Sequence, residues 1–290
     1  MANGKVYLNG EFMDPDRARI SPMDRGFLFA DGVYEVIPAF NGVLFRLDAH
    51  LQRLERSLAE VSIANPHDRA GWRRLCEAMV AANGGGNLSV YLQITRGVAD
   101  KRDHAFPDPP VAPTVFLTSA AIPVPTADSL QQTRGAAAVT LADTRWARCD
   151  IKSISLLPNI LLRQQAVMSG ALEAVLLRDG LVTEGAASNV FTVHGGKIST
   201  PPHSARILGG ITRDLVVELC REHGLPVAEQ AIPEQRLHDA DEIWVSSSTK
   251  DVVPITRLND RPVGDGRPGD TWKTLSRHYI QFKRRLCGLD

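Results

Sequence analysis

The 290-residue chain carries no net charge, its 33 lysines and arginines offsetting 33 aspartates and glutamates. Without a basic excess, neither nucleic acid nor an anionic membrane surface is expected as its main partner. Cysteine is scarce. Cys76, Cys149, Cys220 and Cys287 lie far apart and form no C-x-x-C pair, so neither a zinc site nor a disulfide framework is suggested. No apolar run approaches the length of a membrane span, and Met1-Ala-Asn-Gly-Lys5 leads into a strand pattern without an apolar signal stretch. A cytoplasmic protein is expected. Walker, G-x-S-x-G and H-E-x-x-H motifs are all absent. The eight histidines are dispersed, and no metal is expected. With 43% hydrophobic and 23% charged residues, the chain reads as ordinary globular protein rather than disordered.

What is present begins with two hairpins. Val6–Leu8 and Glu11–Met13 flank Asn9-Gly10, and Val33–Phe40 and Val43–Leu47 flank Asn41-Gly42. Both residues of an Asn-Gly pair tolerate the positive φ of a type I′ turn. Asp48 is read as the cap of a helix bearing Leu51, Leu54, Leu58 and Val61. A second helix is expected over about 68–82, stopped by Asn83-Gly-Gly-Gly86, whose glycines lack the Rossmann spacing. Strands follow at 89–95 and 114–119. Ile122-Pro-Val-Pro-Thr126 is the linker candidate, because two prolines stiffen the chain. Beyond it, strands are expected at 136–141, 173–177, 188–193 and 243–246, and helices at 156–168, 212–223 and 270–286. Strands and helices mix without a strict βαβ alternation, which favours α+β.

Lysine is the informative scarcity. Only seven occur against 26 arginines, and six of them sit in polar or turn-like contexts. Lys152, in Arg148-Cys-Asp-Ile-Lys-Ser-Ile-Ser-Leu-Leu157, precedes an apolar helix. Such a lysine suits imine chemistry, although taken alone it is more often a snorkelling side chain. Thr183-Glu-Gly-Ala-Ala-Ser-Asn-Val-Phe191 sets Glu184 in a small-residue turn. Leu208-Gly-Gly-Ile-Thr-Arg-Asp214 opens a helix with free N–H groups, suited to phosphate. Ser246-Ser-Ser-Thr249 ends a strand with hydroxyls. Each is bland by itself, Glu184 as a solvated acid and Thr212 as a plain cap.

Read together, Cys149-Asp-Ile-Lys-Ser153, Val182-Thr-Glu-Gly185 with Ser188-Asn-Val-Phe191, and Gly209-Gly-Ile-Thr-Arg213 resemble the fold-type IV pyridoxal-phosphate enzymes, the class IV aminotransferases. The likeness runs from Asp24-Arg-Gly26 to Val252-Val-Pro-Ile255. It implies two α+β domains, 1–120 and 134–290, joined by a linker at 121–133, with the cofactor between the domains and the C-terminal domain carrying Lys152. It further implies that Lys152 forms the Schiff base with pyridoxal phosphate and that Glu184 pairs with the pyridine nitrogen. Arg53, Ile211, Thr212, Ser247 and Ser248 would hold the cofactor's phosphate end. Arg102-Asp-His104 resembles the carboxylate clamp of the subgroup acting on D-amino acids, with Tyr34 and Tyr91 completing it. In that subgroup the loop reaches a partner's active site, so a homodimer acting on small amino and keto acids is implied, with D-alanine and 2-oxoglutarate as the expected pair. Branched-chain L-amino-acid transamination, 4-amino-4-deoxychorismate lysis and cofactor binding without catalysis are the alternatives.

Overall fold

Asn-Gly closes both expected hairpins. The computed structural model describes residues 4–123 and 127–289, so Met1, Ala2, Asn3 and the Val124-Pro-Thr126 part of the linker candidate lie outside the described residues. Strands β1 (Val6–Leu8) and β2 (Glu11–Met13) pair with Leu8 opposite Glu11. A short helix α1 (Arg25–Phe29) follows, then the second hairpin, β3 (Gly32–Phe40) with β4 (Val43–Leu44). This strand stops three residues earlier than expected, because Arg46 turns into the left-handed region at φ 57° and helix α2 starts at Leu47. Asp48 is therefore a first-turn acid, 2.5 Å from Arg73, and not the cap. Asp68 does cap α3 (Arg69–Ala82), accepting from the Gly71 N–H at 2.7 Å. With β5 (Leu88–Thr95) and β6 (Thr114–Ala121) the strands form an antiparallel sheet in the order β2-β1-β6-β5-β3-β4.

Leu51, Leu54 and Leu58 of α2 and Trp72, Cys76 and Met79 of α3 pack on Val33, Ile37, Val90, Leu92 and Ile94 of this sheet. Each large apolar side chain so buried contributes about 1.5–3 kcal/mol. Strand alternation sends Val33, Glu35, Ile37 and Ala39 to the core face and leaves Tyr34 half-buried on the other.

The remainder comprises α4 (Ala127–Gln132), β7 (Ala136–Ala142), α5 (Leu157–Met168), β8 (Glu173–Arg178), β9 (Leu181–Gly185), β10 (Asn189–His194), β11 (Lys197–Thr200) and α6 (Ile211–Glu222). It continues with β12 (Val227–Glu229), α7 (Glu234–His238), β13 (Glu242–Ser247), β14 (Asp251–Leu258), β15 (Arg261–Pro262) and α8 (Asp270–Cys287). Their mixed sheet runs β12-β11-β10-β13-β14-β7-β8-β9, with β15 on β14. The architecture is α+β. No helix among the described residues is long and apolar enough to cross a membrane.

Two compact units result. One comprises Met1–Val124, Ile151–Ser155 and Arg285–Asp290, the other Pro125–Asp150 and Leu156–Arg284. This differs from the expected division, which gave Lys152 to the C-terminal domain. Ile151 joins the first unit's core, the Tyr34 N–H donates to the Lys152 carbonyl at 3.0 Å, the Ile154 N–H to that of Gly32 at 3.0 Å, and Ser153 bridges to Val33. Those backbone groups outweigh sequence proximity. The stretch read as linker also contains α4.

Candidate functional site

In the first unit, Lys152 is half-buried. Its N–H donates to Ser57 Oγ at 3.3 Å, and its Nζ stands 4.1 Å from the centre of the Tyr34 ring. Tyr34 sits opposite Gln93 on β5, and its ring lies 5.7 Å from that of Tyr91, whose hydroxyl donates to Gln93 Oε1 at 2.7 Å. Burial, helped by Tyr34, pushes the Tyr91 phenol up to about 12. The structure thus brings Lys152, Tyr34 and Tyr91 to one place.

Arg53 lies on the core face of α2, and Glu35 explains its burial. Arg53 Nε donates to Glu35 Oε1 at 2.8 Å and Nη2 to Oε2 at 2.7 Å, while His50 Nδ1 is 2.8 Å from Oε2. Burial alone would raise the Glu35 carboxyl, but Arg53 and then His50 outweigh it and hold it well below the usual carboxylate range. Burial depresses His50, against the pull of Glu35. Sequence reasoning missed Glu35 and His50. The signal was an acid at a core position of an alternating strand and a histidine three residues before Arg53 on the apolar face of a helix.

In the second unit, Glu184 on β9 is buried. Its Oε1 pairs with Arg145 Nη1, and its Oε2 accepts from the Leu208 N–H at 3.0 Å and from Asn189 Nδ2 at 3.1 Å. Burial raises the carboxyl to about 7, against the pull of Arg145 and the Leu208 N–H. Arg145 is itself gripped by Asp143, Nε to Oδ1 at 3.0 Å and Nη2 to Oδ2 at 2.9 Å. Arg145 and Asp143 were not singled out from sequence. Asp143-Thr-Arg145 follows a strand and looks like solvated loop charge, yet both side chains are buried.

Beside Glu184, Asn189 Nδ2 also holds the Leu208 carbonyl at 2.9 Å. Gly210, the cap residue of α6, lies so close to Asn189 Oδ1 that any Cβ would collide with it. Among the described residues no side chain caps α6, and Ile211 and Thr212 are buried in its first turn. Asn189 faces Ser246 across β10 and β13. Ser247 closes β13 and Ser248 opens the turn that follows, both half-buried. Ser246 Oγ is buried without a hydrogen-bond partner among the described residues. An uncapped helix start beside hydroxyls suits an anion.

Arg102 and His104 lie elsewhere in the first unit. Both are exposed and flank Phe29, the Arg102 guanidinium 4.9 Å and the His104 ring 5.3 Å from its ring centre. Among the described residues, no hydrogen bond or ring contact joins either to Tyr34 or Tyr91.

A family model described as Amino-transferase class IV matches residues 32–258. A D-alanine aminotransferase of Bacillus licheniformis is 40% identical over 271 residues, covering 93% of this chain and 94% of that one. One from Listeria monocytogenes is 39% identical over 284 residues, covering 98% of each. Among solved structures, a branched-chain amino acid aminotransferase from Escherichia coli superposes with a TM-score of 0.83 at 24% identity. That alignment covers 98% of this chain and 95% of the other.

Proposed function

The chain belongs to the class IV aminotransferase family, and from that premise we propose that it transaminates D-amino acids with pyridoxal phosphate. D-alanine and 2-oxoglutarate, giving pyruvate and D-glutamate, are the proposed pair. The observation that carries this reading is near-full-length identity of 39–40% with two D-alanine aminotransferases. The branched-chain structure, at 24% identity, bears on the fold alone.

The donor set fits the cofactor. A phosphate dianion needs N–H and O–H donors and a cation. In the second unit the start of α6 with Ile211 and Thr212 and the hydroxyls of Ser247 and Ser248 offer the donors, and in the first unit Arg53 offers the cation. The buried Ser246 Oγ, without a hydrogen-bond partner among the described residues, lies on the same strand as Ser247. A carboxylate such as Glu184 suits a protonated ring nitrogen, and Arg145 with Asn189 fixes its orientation.

Bound pyridoxal phosphate supplies a carbon that exchanges amino groups and a ring that draws electron density from Cα. This chain's residues do the rest. Lys152 Nζ anchors the cofactor and moves the proton at the substrate Cα. Glu184 holds the proton on the ring nitrogen. Glu35 holds the plane of Arg53 and so the direction of its charge. Tyr34 and Tyr91 would take the substrate carboxylate together with the partner's Arg102 and the partner's His104, a planar guanidinium being matched to it. Fixing the carboxylate on one side, with Cα–H toward Lys152, selects one enantiomer. The substrates are small amino and keto acids, and the enzyme is a cytoplasmic homodimer. The exposed apolar face of α5, formed by Leu157, Ile160, Leu161 and Met168, supports self-association.

The test is a screen of D- and L-amino acids with 2-oxoglutarate, following keto-acid formation. D-alanine should turn over, and L-alanine and L-leucine should be nearly inert. Preference for L-leucine would overturn the reading in favour of the branched-chain alternative. Pyruvate release without an amino acceptor would overturn it in favour of a lyase.

A further inference from the structure

We infer that Arg25 is a positioning residue for the substrate carboxylate, setting the backbone from which Arg102 and His104 project. The inference rests on the reading of those two side chains as the clamp.

Among the described residues, no backbone–backbone hydrogen bond ties residues 100–106 to the rest of the chain. Besides ring contacts at Phe29 and Phe106, that segment is held through its carbonyls by one buried guanidinium. Arg25 Nη1 donates to the carbonyls of Asp103 at 2.6 Å and Ala105 at 3.1 Å, and Nη2 to that of His104 at 3.3 Å. Three consecutive carbonyls thus converge on one rigid fork, and they belong to the residues between and beside the two clamp side chains. Only a planar guanidinium can serve so many acceptors while keeping Nε for an ion pair.

That ion pair fixes Arg25 in turn. Its Nε meets Asp31 Oδ2 at 2.8 Å, and Asp31 also takes Arg96 Nε at 2.7 Å and Nη2 at 3.0 Å. Arg96 is anchored to the carbonyls of Val61 and Ser62 and stacks on Phe106 at 3.6 Å. The backbone of Arg25 is held at the loop's base, its N–H donating to the Gly97 carbonyl at 2.9 Å. Asp24 caps the Gly26 N–H at 2.8 Å and accepts from Thr95 and Thr114. Asp24-Arg-Gly26 therefore acts as a bracket whose side chain reaches across to the clamp. Arg25 touches no substrate itself, and its effect passes through Arg102 and His104.

The experiment is a double-mutant cycle on the cofactor-loaded enzyme, with proteolysis as a second reading. R25Q should raise KM for D-alanine by about 10-fold and leave kcat and pyridoxal-phosphate affinity within about 2-fold, because ground-state carboxylate binding is what loosens. R25K keeps a cation for Asp31 without the fork, and should recover part of the loss. Where R25Q fails to fold, R25K carries the test, with an expected rise of about 3-fold. R102L alone measures the clamp. R25Q added to R102L should cost less than R25Q alone, since only His104 is left for it to position. Trypsin should cleave after Lys101 and Arg102 faster in the Arg25 variants than in the parent. If R102L raises KM while the Arg25 variants do not, or if the two effects add in full, the inference falls and the clamp stands. Loss of cofactor affinity in step with KM would also overturn it, as a merely structural role. If R102L leaves KM unchanged, the clamp reading fails and the inference with it. Unchanged tryptic cleavage overturns Arg25's hold on the loop in every case.

Discussion

Arg53 and Glu35 meet fork to fork inside the first unit, through bonds of 2.8 and 2.7 Å, at a position where strand alternation calls for an apolar side chain. Removing one member of a buried pair leaves the other charge uncompensated, at a cost of about 3–5 kcal/mol. Glu35→Gln should therefore lower stability by that order at neutral pH. Glu35 has a depressed folded-state pKa, so its contribution is complete above the unfolded value near 4.5 and is lost as pH falls below it. The gap between parent and variant should narrow below pH 4.5 in denaturation curves. A gap constant from pH 7 to pH 3 would refute the assignment.

Lys152→Ala should fold and lose nearly all turnover, together with the visible absorbance of a lysine-bound cofactor. Its Nζ, 4.1 Å from the centre of the Tyr34 ring, is the amine that this place in the fold offers. Near-normal transamination by this variant would remove Lys152 from the site.

Glu184→Gln keeps the shape of the side chain and discards its charge. The loss should fall on kcat, because demand on the ring nitrogen is greatest in the transition state. Steady-state kinetics at saturating cofactor decides it, and an unchanged kcat speaks against the role.

Ile160→Asp places a charge on the exposed apolar face of α5, where Ile160 is 60% accessible. If that face associates, the variant should shift toward monomer in light scattering and keep its melting temperature within a few degrees. A mass unchanged from a dimeric parent would place the interface elsewhere.

Local signals carried much of the fold. Both Asn-Gly turns, the Asp68 cap and the helix at 157–168 follow from residues close in sequence. What was illegible depends on pairing across distance. Strands β9, β11 and β12 and the short helices α1 and α7 have too few residues for periodicity to speak, while β14 carries Pro254 in its interior, which argues against a strand. In the site, Lys152, Glu184 and Thr212 stood out because rare or small residues surround them. Glu35, His50, Asp143 and Arg145 did not, because each resembles surface charge until its partner is known. The pairs are joined by folding alone, 15 residues apart for Glu35 and His50 and 39 for Arg145 and Glu184.

Ile151–Ser155 belongs to the first unit although the residues on both sides of it belong to the second. During synthesis the N-terminal sheet therefore emerges well before the pentapeptide that bridges Val33 and brings Ile151 into its core. It also precedes the C-terminal residues, whose Cys287 and Gly288 carbonyls accept from Asn41 Nδ2. A ribosome-bound chain ending near residue 133 holds an unfinished unit. The first unit lacks part of its core until Ile151–Ser155 has emerged, and the lysine proposed to do the chemistry arrives on that segment.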